Sequence, residues 1–307
     1  MNQTIVIIPT YNESENISTL LDKLSVLDVD VLIVDDSSPD NTAEVVKKSN
    51  LYNSKVFLIC RKEKLGLGSA YRDGFNWALS KKYKHIVEMD ADFSHTINDL
   101  SNLLKNKDKN DVVIGSRYVE GGSVKGWSWY RHALSFLANK YSKFVTYCNV
   151  NDMTSGFRVY SDHALESIDF RNTKSNGYAF QIEMTVLCVI KKLKIKEVPI
   201  TFYERSEGKS KMSMSIVLEA FPNELQTMKY KLVTLPRSTA VMPTLTIGGG
   251  DVQLVTGELK VIEPKTQTFK FIGRSKKDRV NDLSEHTSTK MFSIILIMNS
   301  KMFFLKN

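Results

Sequence analysis

The 307-residue sequence lacks any run of about 18 apolar residues, the length that a membrane-spanning helix requires. Its most apolar segment, Met291 to Leu305, is interrupted by Asn299, Ser300 and Lys301. The first residues carry neither a basic segment nor a small-residue cleavage site, so we expect no secretory signal. The composition, 42% hydrophobic and 25% charged, excludes wholesale disorder and collagen-like repeats.

Cysteine is also scarce, and an excess of charge is confined to one end of the chain. The three cysteines, Cys60, Cys148 and Cys188, share no metal-ligand spacing and are typical of reduced, mostly buried thiols in a cytosolic protein. Residues 222–307 hold 13 Lys and Arg against 7 Asp and Glu, whereas residues 1–221 hold 29 against 27. A basic tail suits anionic lipid or nucleic acid, and it is equally typical of a solvated, poorly ordered segment.

Short runs rich in Val and Ile alternate with helix-period segments over the first 115 residues. The runs are continuous, as expected of strands buried on both faces, and they cover residues 4–8, 31–34, 56–59, 85–89 and 111–115. In the first helical segment, Asn12 and Glu15 fit a capping box. Right-handed crossovers between such strands predict an α/β fold, a mostly parallel sheet with flanking helices.

Further elements are predicted downstream, before the character of the sequence changes. The pattern predicts helices over 131–147 and around 178–192, and a strand over 197–203. At Pro222 the series ends, so we place a boundary there. The predicted domains are a main domain over 1–221 and a basic C-terminal extension over 222–307 without an assigned fold.

Polar motifs follow the predicted strands, where ligands of open parallel sheets bind. They are PTYNE (9–13), DDSSPD (35–40), DADFSH (90–95) and SRY (116–118). Asp90 and Asp92 stand two residues apart at a strand end, so both carboxylates can reach one hard cation such as Mg²⁺. Asp-x-Asp is also common in loops that cap a helix, and the position of this motif is what favours a metal site.

Two neighbouring motifs have competing interpretations. Asp36 suits a hydrogen bond from a base or ribose, while Asp40 is better placed to cap the helix that follows. Gly66 and Gly68, with Glu88 further on, imitate a dinucleotide fingerprint, but the spacing fails and the first βα turn has no glycine. We therefore predict only a close-packed turn that leads into a helix.

Five cations occupy predicted loops or helix starts near the same edge: Arg117, Arg131, Arg205, Lys209 and Lys211. They suit phosphate-bearing ligands, because guanidinium groups bind phosphate in a bidentate manner. A solvated charge run fits Lys209 equally well. It fits Arg117 poorly, because this residue directly follows a buried strand.

Eight motifs occur in one order: PTYNE, VDDSSPDNT, KLGLGSAY, DADFSH, GSRY, TSGFRVY, FQIEM and ERSEGKSKMS. Together they resemble family 2 glycosyltransferases with the GT-A (nucleotide-diphospho-sugar transferase) fold, and most closely the dolichyl- or polyprenyl-phosphate mannosyltransferases. The resemblance covers roughly residues 3–221. No motif is decisive alone, but eight in register are specific. The tail does not match.

The resemblance implies a role for each matching residue. The donor site would comprise Pro9, Tyr11, Glu13, Val34, Asp36, Asp90, Ala91 and Asp92. Within it, Asp90 and Asp92 would hold Mg²⁺ or Mn²⁺ on the diphosphate. Arg117 and Arg131 would face the lipid phosphate, with Ser135 nearby. Arg205 and Lys211 would close over the nucleotide diphosphate. The residues expected to be catalytic are Asp92, Arg117 and Arg131.

The implied reaction is transfer of mannose from GDP-mannose to a polyprenyl or dolichyl phosphate. The acceptor phosphate is already anionic, so attack needs no general base, and in-line attack on an α-linked donor gives a β-linked product. The alternatives are hexosyl transfer from a UDP-sugar such as UDP-glucose, and a non-catalytic nucleotide-sugar-binding module. A dehydrogenase rests only on Gly66 and Gly68.

The implied acceptor lies in a membrane, so we expect a cytoplasmic protein peripherally associated with the cytoplasmic face. Trp127, Trp129 and Tyr130 suit a headgroup interface, followed by a helix that carries Lys140 and Lys143. Core and rim packing explains the aromatic residues equally well. A membrane-embedded partner subunit is the other route to the lipid, and nucleic acid is not an expected partner.

Overall fold

The computed structural model describes residues 3–175 and 177–204, and beyond them the backbone of four two-residue strands. Those four are β10 (Thr246–Ile247), β11 (Gly250–Asp251), β12 (Leu254–Val255) and β13 (Glu258–Leu259), which pair as two antiparallel hairpins, β10 with β11 and β12 with β13. By its contacts the chain divides into two units, Met1–Val241 and Met242–Asn307. The boundary predicted near residue 221 lies outside the described residues and stays a prediction.

Strands and helices alternate through the first unit, as the sequence predicts. The strands are β1 (Thr4–Thr10), β2 (Asp30–Asp35), β3 (Val56–Cys60), β4 (His85–Glu88), β5 (Val112–Ser116), β6 (Ser123–Lys125), β7 (Arg158–Ser161), β8 (Ile195–Pro199) and β9 (Thr201–Tyr203). The helices are α1 (Ser14–Leu24), α2 (Thr42–Lys47), α3 (Leu67–Ser80), α4 (Ile97–Leu104), α5 (Trp129–Thr146), α6 (Asp162–Ser167) and α7 (Gly177–Ile190). Among the described residues, no helix has both the length and the apolar character that crossing a bilayer requires.

A seven-stranded sheet in the order β3-β2-β1-β4-β7-β5-β8 forms the centre of this unit. Only β7 runs antiparallel to its neighbours β4 and β5. Alternate residues of β1 enter two different cores: Ile5 and Ile7 pack with α3, and Val6 and Ile8 pack with α1. Burial on both faces explains the continuous apolar runs and confirms the predicted mostly parallel α/β sheet.

The first two helices begin differently from the prediction. The predicted capping box of Asn12 and Glu15 is wrong: Asn12 has φ 60°, and no side chain caps α1 from its N-cap position, Glu13. Instead Asp40 accepts the N–H of Ser14 through Oδ2 and the N–H of Thr42 through Oδ1. Burial opposes ionisation of Asp40, but the hydroxyl of Thr42, which also donates to Oδ1, and these N–H groups lower the pKa of Asp40 below the ordinary value. One carboxylate thus supports the starts of both α1 and α2, although the N-cap residue of α2 is Asn41 and not the predicted Asp40.

The predicted strand over 197–203 is two strands in two different sheets. The main sheet ends with β8 at Pro199, and β9 pairs in parallel with the short strand β6. Between them, Ile200 donates its N–H to Ser116 O and packs closely over Gly115. The position of the missing N–H of Pro199 faces away from β5, on the open side of this edge strand, where a proline is tolerated. This bend brings Tyr203 and Glu204 to the edge where β5 ends.

The glycine-rich turn leads directly into α3, as predicted. Gly66 has φ +92°, a conformation that other residues rarely adopt. A Cβ on Gly74 would lie 2.6 Å from Ile7 Cγ2, so the absence of a side chain lets α3 pack directly on β1. Gly74, within α3, therefore sets the distance between this helix and the sheet.

Candidate active site

The loops that follow β1, β2, β4, β5 and β8 lie at one edge of the sheet, which we call the carboxyl edge. Because β7 is antiparallel, its first residue, Arg158, also lies at this edge, paired with Glu88 on one side and Ile114 on the other. The segment 152–157 that leads into β7 therefore enters the site between the acidic and the basic motifs. The sequence reasoning placed no site residue there.

Asp90 and Asp92 occupy the carboxyl edge immediately after β4. The side chain of Asp90 is 37% exposed, and its Oδ2 lies 3.3 Å from His95 Nε2. Asp92 accepts the N–H of Ser94 through Oδ1 at 3.1 Å, while Ala91 between them is buried. Within the described residues no three His, Cys, Asp or Glu side chains gather as a metal site. Two carboxylates at a strand end fit Mg²⁺ or Mn²⁺ whose other ligands are phosphate and water.

His95 is a site residue that the sequence reasoning missed. The residue is 5% exposed, and its ring stacks on Phe157, with centroids 4.4 Å apart. The edge of Phe202 completes the enclosure, at 5.6 Å. This packing places the imidazole beside Asp90, although neither ring nitrogen of His95 has a hydrogen-bond partner among the described residues. Only its place in the DADFSH motif pointed to it.

A buried polar cluster lies beneath Asp90. Glu88, Tyr71 and Gln181 are buried, and their side-chain polar atoms have no hydrogen-bond partner among the described residues. Burial raises the pKa of Glu88 to about 8, and the nearby charge of Arg158 limits the rise. Arg158 itself is held by Ser155 O, Met153 O and Thr185 Oγ1. Glu88 is the last residue of β4, so this cluster directly adjoins the loop that carries Asp90.

Residues predicted to bind the nucleotide lie on the first two βα loops. Tyr11 is partly exposed, and Lys64 Nζ lies 3.4 Å from the centre of its ring. Glu13 accepts a hydrogen bond from Asn16 Nδ2. Pro9 is partly exposed at the end of β1. These placements leave the predicted donor site at the carboxyl edge, and contact with a nucleotide stays a prediction.

Two other predicted donor residues are enclosed by the protein. Val34 is fully buried in the core. Asp36 accepts the N–H groups of Leu65 and Gly66 and lies 3.0 Å from Arg61 Nη1. Both oxygens of Asp36 thus fix the turn before α3. To accept the predicted hydrogen bond from a base or ribose, Asp36 would have to use oxygen lone pairs that are not already bonded to the turn.

On the basic side of the site, Arg117 forms a buried ion pair. Its Nε and Nη2 donate to Asp152 Oδ2 and Oδ1, both at 2.7 Å, and Nη2 also donates to Thr154 Oγ1 at 2.7 Å. Burial opposes ionisation of Asp152, yet the charge and hydrogen bonds of Arg117 hold its pKa below the ordinary value. In turn Glu197 accepts the N–H of Asp152. The acidic partner of Arg117 was not predicted, because nothing in the sequence links positions 35 apart.

Arg131 lies at the start of α5, where its guanidinium is 4.3 Å from the ring centre of Trp127. Its Nη1 donates to Glu204 Oε1 at 2.5 Å. Ser135, one turn further along α5, is buried and accepts the hydroxyl of Tyr118. The predicted lipid-phosphate residues therefore lie together on one side of the carboxyl edge. Arg205, Lys209 and Lys211 lie outside the described residues, and their roles stay predictions.

Phe202 connects the acidic and the basic sides. Its ring centre is 5.6 Å from that of His95, beside Asp90, and 5.6 Å from the guanidinium carbon of Arg117. Tyr203 N donates to Ser94 O, which ties β9 to the loop that carries Asp92. The ring of Phe202 thus lies between His95 on the acidic side and Arg117 on the basic side. Ligands bound on the two sides would therefore lie next to one another.

Comparison with known proteins agrees with this geometry. The model of the family described as Glycosyl transferase family 2 matches residues 5–169. The polyprenol monophosphomannose synthase of Mycolicibacterium smegmatis is 45% identical over 222 residues, which cover 71% of this chain and 84% of that protein. The undecaprenyl-phosphate mannosyltransferase of Micrococcus luteus is 42% identical over 223 residues, which cover 72% of this chain and 92% of that protein.

Two solved structures show the fold at low sequence identity. One is glucosyl-3-phosphoglycerate synthase from Mycobacterium tuberculosis, in complex with Mn²⁺, UDP-glucose and phosphoglyceric acid. It has a TM-score of 0.54 at 16% identity over 76% of this chain and 81% of that chain. The other, mannosyl-3-phosphoglycerate synthase from Rubrobacter xylanophilus, has a TM-score of 0.54 at 15% identity over 76% of each chain. They confirm the predicted GT-A fold.

Proposed function

The chain belongs to glycosyl transferase family 2, and from this premise we propose that it transfers mannose from GDP-mannose to a polyprenyl or dolichyl phosphate. The names of the two bacterial relatives support the sugar and the acceptor class. The structural observation that carries the proposal is the short connection through Phe202 between the Asp90 side and the Arg117 side. A nucleotide diphosphate and a lipid phosphate are both anionic, and such a site holds one beside the other.

The acidic side would bind the donor. Asp90 and Asp92 supply the carboxylates that would hold Mg²⁺ or Mn²⁺, and the bound ion would offset the charge that develops on the departing GDP. The buried ring of His95 lies beside Asp90 and would limit its movement. Tyr11 and Glu13 lie on the neighbouring loop, and we assign the nucleotide to their side. Arg205 and Lys211 would add positive charge over the diphosphate.

The basic side would bind the acceptor. Arg131 presents its guanidinium at the start of α5, and the Arg117–Asp152 pair behind it fixes the loop that follows β5. Ser135 and Tyr118 would define the floor of this subsite. The acceptor phosphate is already anionic at neutral pH, so its oxygen attacks the anomeric carbon without a general base. In-line attack on an α-linked donor inverts the centre and gives a β-mannosyl phospholipid.

The surface of α5 supports peripheral association with a membrane. Nine large hydrophobic side chains are exposed in the described chain, and six of them lie between residues 129 and 147: Trp129, Tyr130, Phe136, Leu137, Phe144 and Tyr147. Spacings of seven residues along α5 put most of them on one side of the helix. We assign this surface to the headgroup region of the cytoplasmic face. A membrane-embedded partner subunit is the alternative.

The first test is transfer of radiolabelled sugar to a short polyprenyl phosphate, from GDP-mannose and from UDP-glucose, with Mg²⁺ and then with EDTA. Metal-dependent label in the lipid phase from GDP-mannose alone is the expected result. Transfer from UDP-glucose instead would replace the donor and keep the acceptor. Transfer that persists in EDTA would overturn the metal role of Asp90 and Asp92. A lack of lipid product from either donor would contradict the proposed function.

A further inference from the structure

Arg131, the residue that we assign to the acceptor phosphate, is already bound to a carboxylate of the chain itself. Its Nη1 donates to Glu204 Oε1 at 2.5 Å. The side chain of Arg131 is 18% exposed and that of Glu204 is 36% exposed, so the pair lies at the surface of the site. The face of the guanidinium packs on Trp127. Glu204 thus sits where an anionic ligand of Arg131 would sit.

The geometry of the guanidinium restricts where such a ligand can bind. Arginine holds phosphate best through two parallel N–H groups on one edge. Arg131 Nε is buried and has no hydrogen-bond partner among the described residues, so the edge that contains it faces the protein. The other edge contains Nη1, which Glu204 occupies. Bidentate binding of phosphate on that edge requires the Glu204 carboxylate to leave.

The main chain holds Glu204 in this position independently of its side chain. Its N–H donates to Lys125 O at 2.9 Å, at the end of the β6–β9 pair. Gly126, with φ +91°, packs against it so closely that a Cβ there would lie 2.8 Å from Glu204 Cβ. The carboxylate can therefore rotate away into solvent while β9 stays in place. For a phosphate to replace the carboxylate on Arg131, only the side chain of Glu204 has to move.

We propose that Glu204 is an internal competitor of the acceptor phosphate for Arg131 and that it sets the affinity of the enzyme for its acceptor. The inference rests on the proposed function, in which Arg131 binds the phosphate of the acceptor. In the absence of acceptor, Glu204 neutralises a cation that would otherwise bind free phosphate or other small anions. A lipid phosphate displaces the carboxylate, and Glu204 opposes that binding by the free energy of its own ion pair.

The experiment compares Glu204→Gln with the unaltered protein and with Glu120→Gln, an equal loss of charge at an exposed residue of the loop before β6. Binding of farnesyl phosphate is measured by calorimetry without donor, and the KM values of both substrates are measured in the transfer assay. Since partly exposed ion pairs contribute up to about 1 kcal/mol, we expect Glu204→Gln to tighten farnesyl phosphate binding about two- to five-fold. The acceptor KM should fall in parallel, and the donor KM should stay the same. Glu204→Asp, which keeps the charge, should behave like the unaltered protein or lie between the two.

A second background separates this inference from the proposed function. In Arg131→Ala protein, Glu204→Gln should no longer change acceptor affinity, because the two side chains act as one unit. If Arg131→Ala weakens acceptor binding but Glu204→Gln weakens it too or leaves it unchanged, Glu204 is a structural support and the competition is wrong. If Arg131→Ala leaves acceptor binding unchanged, Arg131 is not an acceptor ligand, and both assignments fall.

Discussion

Arg117 and Asp152 form a buried, two-pronged ion pair that joins the end of β5 to the segment before β7. The guanidinium donates two hydrogen bonds to the carboxylate, and the Arg117 N–H donates a third to Oδ2 at 2.9 Å. Side-chain exposure is 5% for Arg117 and 0% for Asp152. Because both charges are removed from water, each is stabilised mainly by the other.

Removal of one partner of this pair should strongly destabilise the fold. Asp152→Asn leaves a buried cation without a counter-ion, and we expect the free energy of unfolding to fall by about 3–5 kcal/mol. Urea denaturation of this variant against Asp28→Asn, an exposed control on the loop before β2, measures the difference. A loss no larger than that of the control would show that water or neighbouring groups already screen the pair.

The same pair predicts sensitivity to acid. The folded-state pKa of Asp152 lies below its ordinary value of 3.8, so the unfolded chain takes up the proton first as the pH falls. The stabilisation is complete above pH 3.8 and is lost as the pH falls through the folded-state pKa. Between pH 5 and pH 2, the free energy of unfolding should therefore change less with pH for Asp152→Asn than for the unaltered protein. Equal slopes would contradict this assignment.

Glu88 predicts a pH dependence of the opposite sign. Burial raises its pKa from the ordinary value of 4.5 to about 8, so the unfolded chain loses the proton first. The contribution of Glu88 to stability is then fully present below pH 4.5 and is lost as the pH rises towards about 8. Glu88→Gln should flatten this decline and be more stable than the unaltered protein at pH 8. The measurement is the free energy of unfolding at a series of pH values in EDTA, with Glu166→Gln, at an exposed residue, as the control. A free energy of unfolding that does not change between pH 4.5 and pH 8 in the unaltered protein would refute the prediction.

The sequence predicts the sheet well, because continuous apolar runs such as that of β1 report burial on both faces. It predicts less where distant segments meet. The start of α1 depends on Asp40 from the next βα loop, so the local pattern of Asn12 and Glu15 misleads. The antiparallel insertion of β7 cannot be inferred from local periodicity. Asp152 was missed for this reason, because only the inserted strand brings it to Arg117.

The carboxylates after β4 predict the response of activity to metal. Asp92→Asn removes a charged oxygen ligand, and since a bound divalent ion contributes several kcal/mol to charge stabilisation, we expect kcat/KM to fall by about 100-fold or more. Mn²⁺ binding, followed by electron paramagnetic resonance without substrates, should weaken in parallel. Asp22→Asn, exposed on α1, is the control with the same loss of charge. Unchanged metal-dependent transfer by Asp92→Asn would exclude Asp92 as a ligand.

The exposed surface of α5 predicts binding to anionic membranes. Trp129 is 81% exposed and Leu137 is 63% exposed, and Lys140 lies on the same helix. Since aromatic residues favour the headgroup region and each lysine near an anionic surface contributes about 1 kcal/mol, the unaltered protein should sediment with phosphatidylglycerol vesicles more than with phosphatidylcholine vesicles. Trp129→Ser with Leu137→Ser should abolish most of this binding while transfer to water-soluble farnesyl phosphate persists. Val26→Ser is the matched control, because Val26 is 77% exposed but lies just after α1. Equal sedimentation of all three proteins would exclude α5 as the membrane contact and leave a membrane-embedded partner as the route to the acceptor.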